Sequence, residues 1–167
     1  MSRRVIRIVG LAAVFALLSA GAALAHAGGQ GTVTITQHDH NVPFFSMPVT
    51  NPCTGAPGTL SAVAANEVFH VTYFTNGDPE FWVTGTAEGT ATFTPDNPSG
   101  VSGSGHFAAW FGESFNNKND VQHNIFNLTL TDTDGSHVIV HETAHLSTNA
   151  QHVVTVNFDK MSVSCAG

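Results

Sequence analysis

The residues best suited to chemistry lie between positions 136 and 147, in the segment SHVIVHETAHLS. Within it, His141, Glu142 and His145 form an HExxH pattern, which binds zinc when it lies on a helix. One helical turn places the two imidazoles on one face about 6 Å apart, and the glutamate between them acts as general base on metal-bound water. A zinc-dependent hydrolase, with Glu142 as its catalytic residue, is therefore one hypothesis for this chain.

The residue types around the motif favour a β-strand instead. Val138, Ile139 and Val140 are β-branched, which suits a pleated surface better than a helix. Apolar and polar residues alternate with a period of two, and Glu142 is the exception on the apolar face. In a strand, positions 141 and 145 are about 13 Å apart, too far for two imidazoles to share one ion. We therefore predict an extended backbone here and assign no catalysis and no cofactor, with zinc only in the alternative.

A third zinc ligand is also missing from the expected place. The longer zinc-protease pattern requires glycine at 148 and histidine at 151, where this chain has Thr148 and Gln151. No glutamate follows Glu142, so a downstream carboxylate ligand would have to be Asp159.

The N-terminus has the features of an export signal. Arginines at positions 3, 4 and 7 precede an apolar run from 9 to 18, and Ala23-Leu24-Ala25 is a typical cleavage site. We predict that residues 1–25 are a signal peptide. The protein would then be secreted, or extracellular, with no membrane insertion after cleavage.

The composition of the remaining chain argues against some classes of partner. Two lysines, Lys118 and Lys160, stand against twelve acidic residues, so the net charge after cleavage is about −10 (2 minus 12). This acidic excess argues against nucleic acids and anionic membrane surfaces as partners. All ten histidines follow residue 25, so the mature chain is histidine-rich. Nothing in the pattern sets an oligomeric state.

The two cysteines, Cys53 and Cys165, predict a disulfide, because an exported chain with an even cysteine count normally pairs them. Such a bridge would close a loop of about 110 residues and stabilise the fold by roughly 4 to 5 kcal/mol. A cysteine pair this widely separated is a poor metal motif.

Short alternating segments separated by turn residues fill the rest of the chain. We expect residues 26–58 to form a flexible N-terminal segment with a first strand at 32–37 and a proline-rich loop at 41–58, and residues 59–167 to form a β-barrel domain that includes the 32–37 strand. Within it, alternation predicts strands at 60–64, 67–75, 81–94, 105–115, 122–132, 136–146 and 152–163.

Seven or eight strands with short turns predict an all-β antiparallel meander, closed or nearly closed into a barrel, with a β-sandwich as the alternative. The small residues between 85 and 91 predict a strongly bent strand, or two strands broken at a glycine.

Turn chemistry suggests a register for the last three strands. Residues 133–135 fit a three-residue hairpin loop with Gly135 in the left-handed position. This places Leu130 opposite Val138, Phe126 opposite Glu142, Asn127 opposite His141 and His123 opposite His145. Matching apolar faces across the next turn places Val156 opposite Glu142 and Asn157 opposite His141, with Val154, Val156 and Phe158 inward.

One site hypothesis follows from the facing histidines. His123 and His145 would have Cβ atoms about 5 Å apart, close enough to share a divalent metal. His141 is a further metal candidate. The alternative is an exposed polar face with no ligand.

A second hypothesis concerns polar residues on apolar faces. Glu142, Glu113 and Tyr73 each interrupt an inward-facing apolar row, so together they are candidates to line a cavity for a small molecule. The alternative is that each lies near a barrel rim and reaches water.

Several segments resemble an uncharacterised family of small secreted β-rich proteins from high-GC Gram-positive bacteria. The segments are NPCTG at 51–55, GHFAAWFG at 105–112, DGS at 134–136, HETAH at 141–145, FDK at 158–160, and Cys165 near the C-terminus. The resemblance implies a bacterial, β-rich exported domain and no particular activity. The leading hypothesis is a secreted, disulfide-closed β-barrel that binds a small molecule or has a structural role; the alternative is the zinc hydrolase.

Overall fold

The computed structural model describes residues 31–74 and 80–167, and the predicted signal peptide lies outside them. The described residues form eight strands: β1 (Thr32–Asp39), β2 (Val42–Thr50), β3 (Pro57–Phe74), β4 (Phe81–Pro95), β5 (Gly103–Phe115), β6 (Asn119–Asp132), β7 (His137–Asn149) and β8 (Val154–Ala166). In this part of the chain, no helix has the length and apolar character needed to cross a membrane.

All eight strands belong to one antiparallel sheet, which confirms the predicted all-β meander. From β3 to β8 each strand pairs with the next one in the chain. β1 and β2 both pair with β3, β1 along its second half, 67–74, and β2 along its first half, 57–64. A β-bulge between Ala64 and Asn66 separates the two halves. Opposite it, Asn41 has a positive φ of 56° and turns the chain from β1 into β2.

The predicted closure into a barrel is wrong, and so is the sandwich alternative. Among the described residues no ladder joins β8 to β1 or β2, and one sheet holds every strand. β1 and β2 share one edge of β3, and β8 is exposed along its whole length. Alternation and turn residues determine strand order, but closure also depends on tilt and shear, which a local pattern does not encode.

The sheet nevertheless folds back on itself at one end. We call this the disulfide end: β2, residues 57–64, and the parts of β4 to β8 that pack on the inner face with β2, as far as the row of Ala109, Phe126 and Glu142. Cys53, just after β2, is bonded to Cys165 of β8, as predicted, with a Cα–Cα distance of 5.7 Å. Six strand spacings separate β2 from β8, which on a flat sheet would be roughly 29 Å. The sheet must therefore coil strongly here. The opposite end, containing β1 and residues 67–74, is the open end.

A buried polar contact reinforces the disulfide end. The Asn51 side chain donates a hydrogen bond to Oδ2 of Asp132 at the end of β6, over 3.3 Å. Its own Oδ1 accepts hydrogen bonds from the backbone N–H groups of Cys53 and Thr54. Both Asn51 and Asp132 are buried. The turn that carries Cys53 is thus fixed to β6 as well as to β8.

Small residues on β4 permit this coiling. Gly85, Ala87, Gly89 and Ala91 alternate along its inner face. A Cβ atom on Gly85 would overlap the ring of Phe111, and one on Gly89 would overlap the backbone of residues 63–65. The neighbouring strands can therefore approach closely over a bent but continuous strand, so the predicted alternative of two strands does not occur.

The main core lies at the disulfide end. Phe107 is completely buried there with Phe93 and Val138. Phe44 of β2 stacks on Phe107 with ring centres 5.0 Å apart, and Phe45 meets Phe126 edge to face. At the open end a smaller cluster contains three buried residues, Phe69, Val83 and Phe111.

The predicted proline-rich loop at 41–58 is wrong over 42–50, which form β2, and over 57–58, which begin β3. Pro43 and Pro48 are tolerated because β2 has a neighbour on one side only, so half of its N–H groups need no partner in the sheet. The strand is held by the two phenylalanines that it contributes to the core. Further along, the segments predicted at 60–64 and 67–75 are joined, as far as Phe74, in one bulged strand, β3, and residue 75 lies outside the described residues.

The predicted register between the last two strands is also wrong. Glu142 is opposite Met161 rather than Val156, and His141 is opposite Ser162 rather than Asn157. The cause is the turn: β7 continues to Asn149, whose side-chain oxygen accepts hydrogen bonds from the N–H groups of Gln151 and Val153. As a result, Phe158 is opposite His145, which points outward, so the prediction that Phe158 points inward is wrong.

Candidate functional site

The HExxH motif lies on a strand, as predicted. β7 is extended throughout and pairs on both sides, with β6 and with β8. The helix on which a zinc hydrolase site would depend is therefore not formed. The β6–β7 register also matches the prediction, with Asn127 opposite His141, Phe126 opposite Glu142 and His123 opposite His145.

His141 uses both ring nitrogens in contacts with neighbouring side chains. Nδ1 donates a hydrogen bond to Oδ1 of Asn127 over 2.6 Å. Nε2 accepts one from Oγ1 of Thr143 over 3.3 Å. A metal ligand needs a free lone pair on one nitrogen, so this geometry holds His141 in a polar surface network rather than presenting it to an ion.

His123 and His145 face each other on the outer surface of the sheet. Their ring centres are 5.5 Å apart and the rings are nearly perpendicular, at 79°. The indole of Trp110 meets the other side of His123 at 5.3 Å. Within residues 31–74 and 80–167, no group of three or more histidine, cysteine or acidic side chains is placed to hold a metal ion.

A cavity of about 310 Å³ lies on the inner face at the disulfide end. Its walls are mainly apolar and come from every strand except β1; they include Phe44, Phe45, Phe126, Leu128, Val140 and Met161. Met161 and Val163 both line the cavity and are 45% and 39% exposed, so the cavity opens beside β8.

Glu142 is the one ionisable side chain among the described residues that line this cavity. It lies between Phe126 of β6 and Met161 of β8. Burial raises the pKa of its carboxyl group, and the neighbouring Asp159 carboxylate raises it further. Asn51 and Asn124 add amide groups to the lining. The site therefore combines an apolar body with one carboxyl group that ionises less readily than usual.

The other two cavity candidates lie elsewhere. Tyr73 pairs with Phe81 at the open end and does not line the cavity. Glu113, also towards the open end, accepts a hydrogen bond from Gln122 over 3.4 Å and is not in the lining either. The structure thus does not bring the three predicted residues into one cavity.

The contribution of β2 to the site was missed from the sequence. Phe44, Phe45, Met47 and Val49 all line the cavity. The sequence signal for this contribution was the row of large apolar residues within the proline-rich segment. Such residues are uncommon in a solvent-exposed loop.

Comparisons of the chain with protein-family models, with curated proteins and with solved structures found no match. The resemblance to a family of small secreted proteins stays a prediction.

Proposed function

We propose that this protein is an exported binding protein that holds a small, largely apolar molecule in the cavity at the disulfide end. The observation that carries the proposal is the cavity itself, with its apolar walls and the single carboxyl group of Glu142. Its volume of about 310 Å³ is at the lower end of the range for small-molecule pockets, about 300 to 1,000 Å³. The disulfide and the N-terminal signal pattern support export.

The chemistry of the lining suggests the shape of the ligand. Aromatic and aliphatic walls favour a compact apolar body, and Glu142 offers the position for one polar group. A protonated Glu142 donates a hydrogen bond, whereas an ionised one accepts a hydrogen bond or pairs with a cation. A neutral ligand with one hydroxyl group fits both forms of the site, because a hydroxyl donates and accepts, and a cationic ligand with an N–H group fits the ionised form.

Filling the cavity tests the proposal. Ala109 lines it, while the adjacent Ala108 points to the opposite face, between Glu88 and Asn127. We expect the mature chain to bind the neutral fluorescent probe N-phenyl-1-naphthylamine, with blue-shifted and enhanced emission. Ala109→Phe should abolish this binding because the new ring occupies the cavity, and Ala108→Phe should leave it unchanged.

Thermal unfolding followed by circular dichroism establishes that both variants are folded before the titrations are compared. Equal probe affinity in the two variants, or no probe binding to the parent chain, would contradict the assignment of this cavity as the binding site.

A further inference from the structure

We propose that His123 and His145 form a surface site for a divalent transition-metal ion, Cu²⁺, Ni²⁺ or Zn²⁺, separate from the cavity. The pair lies on the outer face of the sheet, whereas the cavity lies on the inner face, so the inference stands independently of the proposed function.

The separation of the two rings fits a shared ion. Metal–nitrogen bonds of about 2.0 to 2.1 Å place each ring centre roughly 3.2 Å from the ion, so two rings at a tetrahedral angle have centres about 5.2 Å apart. The observed separation is 5.5 Å. The strands on which the two residues lie are held in register by pairing on both sides. The sheet thus sets the spacing before any ion binds.

The ring nitrogens of this pair are also available, in contrast to Nδ1 of three other histidines in the described part of the chain. Nδ1 of His40, of His70 and of His137 lies within hydrogen-bonding distance of a neighbouring oxygen. The contacts of His123 and His145 are instead with rings: each other and Trp110. Since no lone pair is committed to a hydrogen bond in these contacts, metal binding displaces no protein partner.

The chemistry of the ligands sets the class of metal. Imidazole suits Cu²⁺, Ni²⁺ and Zn²⁺, whereas Mg²⁺ and Ca²⁺ prefer oxygen ligands. Two side chains leave the remaining coordination positions to water, so the site should be exchangeable rather than permanently loaded. The usual affinity order places Cu²⁺ first among these ions.

Trp110 gives the site its own reporter, which is needed because ten histidines offer many adventitious positions. The chain has two tryptophans, so Trp82→Phe leaves Trp110 as the sole indole. We expect Cu²⁺ added to tag-free mature Trp82→Phe protein to quench Trp110 emission saturably, and EDTA to restore it. Mg²⁺ at the same concentrations should have no effect.

Two substitutions and one matched control decide the assignment. In the same background, His123→Gln or His145→Gln should raise the Cu²⁺ concentration for half-quenching by about tenfold or more. His141→Gln, on the same face of the same strand, should change it by less than about twofold. Equal half-quenching concentrations in parent and His145→Gln proteins, or an equal loss in His141→Gln, would overturn the proposal.

A spectroscopic measurement on the unsubstituted chain covers the case in which a histidine variant fails to fold. The electron paramagnetic resonance spectrum of the protein with one equivalent of Cu²⁺ should show coupling to two imidazole nitrogens. A spectrum without coupling to two such nitrogens refutes the site.

Discussion

β1 and β2 are edge strands on the same side of β3, yet their surroundings differ sharply. β2 buries its phenylalanines against β5 and β6, and the turn after it is held by the disulfide and the Asn51–Asp132 contact. Almost all of β1 is exposed. The two strands have the same partner and the same pairing type, so the ladder cannot explain the difference. The difference comes from the side chains on the inner face at each end of the sheet.

The inner face at the open end is rich in acidic side chains. Burial and the neighbouring Asp39 raise the pKa of Glu67, and burial and Asp120 raise the pKa of Glu113. Burial also raises the pKa of Asp120 itself. Coiling this end as tightly as the disulfide end would remove more of these carboxylates from water, which costs free energy. Of the three, only Asp120 has a basic neighbour that lowers its pKa, His152. We infer that this cost, together with the smaller apolar cluster at the open end, limits the coiling there.

The largest expected effect comes from removing the disulfide. Replacing both Cys53 and Cys165 by serine should lower the free energy of unfolding by about 4 to 5 kcal/mol, because the unfolded chain regains the entropy of a long loop. The serine protein should also lose affinity for the cavity probe, since the turn after β2 is released. Urea unfolding measures the first effect. Unchanged stability would show that core packing alone holds the disulfide end together.

The next comparison sets a buried ring against an exposed one. Phe107→Ala should cost about 3 to 5 kcal/mol, because Phe107 is completely buried at the centre of the disulfide end. Phe158→Ala on β8 should change stability by no more than about 0.5 kcal/mol, because Phe158 is 48% exposed. Urea unfolding of the two variants measures both values. Similar losses would mean that β8 is covered in solution.

A smaller effect should appear with pH at the open end. The raised pKa of Glu113 means that the folded chain holds its proton more tightly than the unfolded chain. The resulting stability is fully present below the ordinary pKa of 4.5 and is lost as pH rises through the raised value. Glu113→Gln should therefore raise the melting temperature at pH 7.5 and leave it unchanged at pH 4.

Glu88→Gln is the matched control, because Glu88 lies on the outer face and is exposed. It should show no such difference between the two pH values. A melting temperature for Glu113→Gln that falls at pH 7.5 would mean that the Glu113 carboxylate is stabilised rather than strained.

The sequence was most informative where structure depends on neighbours in the chain. The turn residues at 133–135 predicted the β6–β7 register and therefore the facing of His123 and His145. The next register failed because Asn149 extends β7 before the turn, which apolar matching alone did not reveal. The prediction of barrel closure failed for a longer-range reason: closure depends on strand tilt and shear, which a local pattern does not encode. For the same reason, the sequence did not distinguish Glu142, which lines the cavity, from Glu113, which does not.

Amide hydrogen exchange of the mature chain, resolved by residue, tests the difference between the two ends most directly. The paired amides of β2, Val42–Thr50, should exchange about tenfold or more slowly than those of β1, Thr32–Asp39, because opening β2 also requires its aromatic core contacts to separate. Fast exchange in β1 beside slow exchange in β2 is the expected result. Equal protection of the two strands would contradict the difference between the two ends.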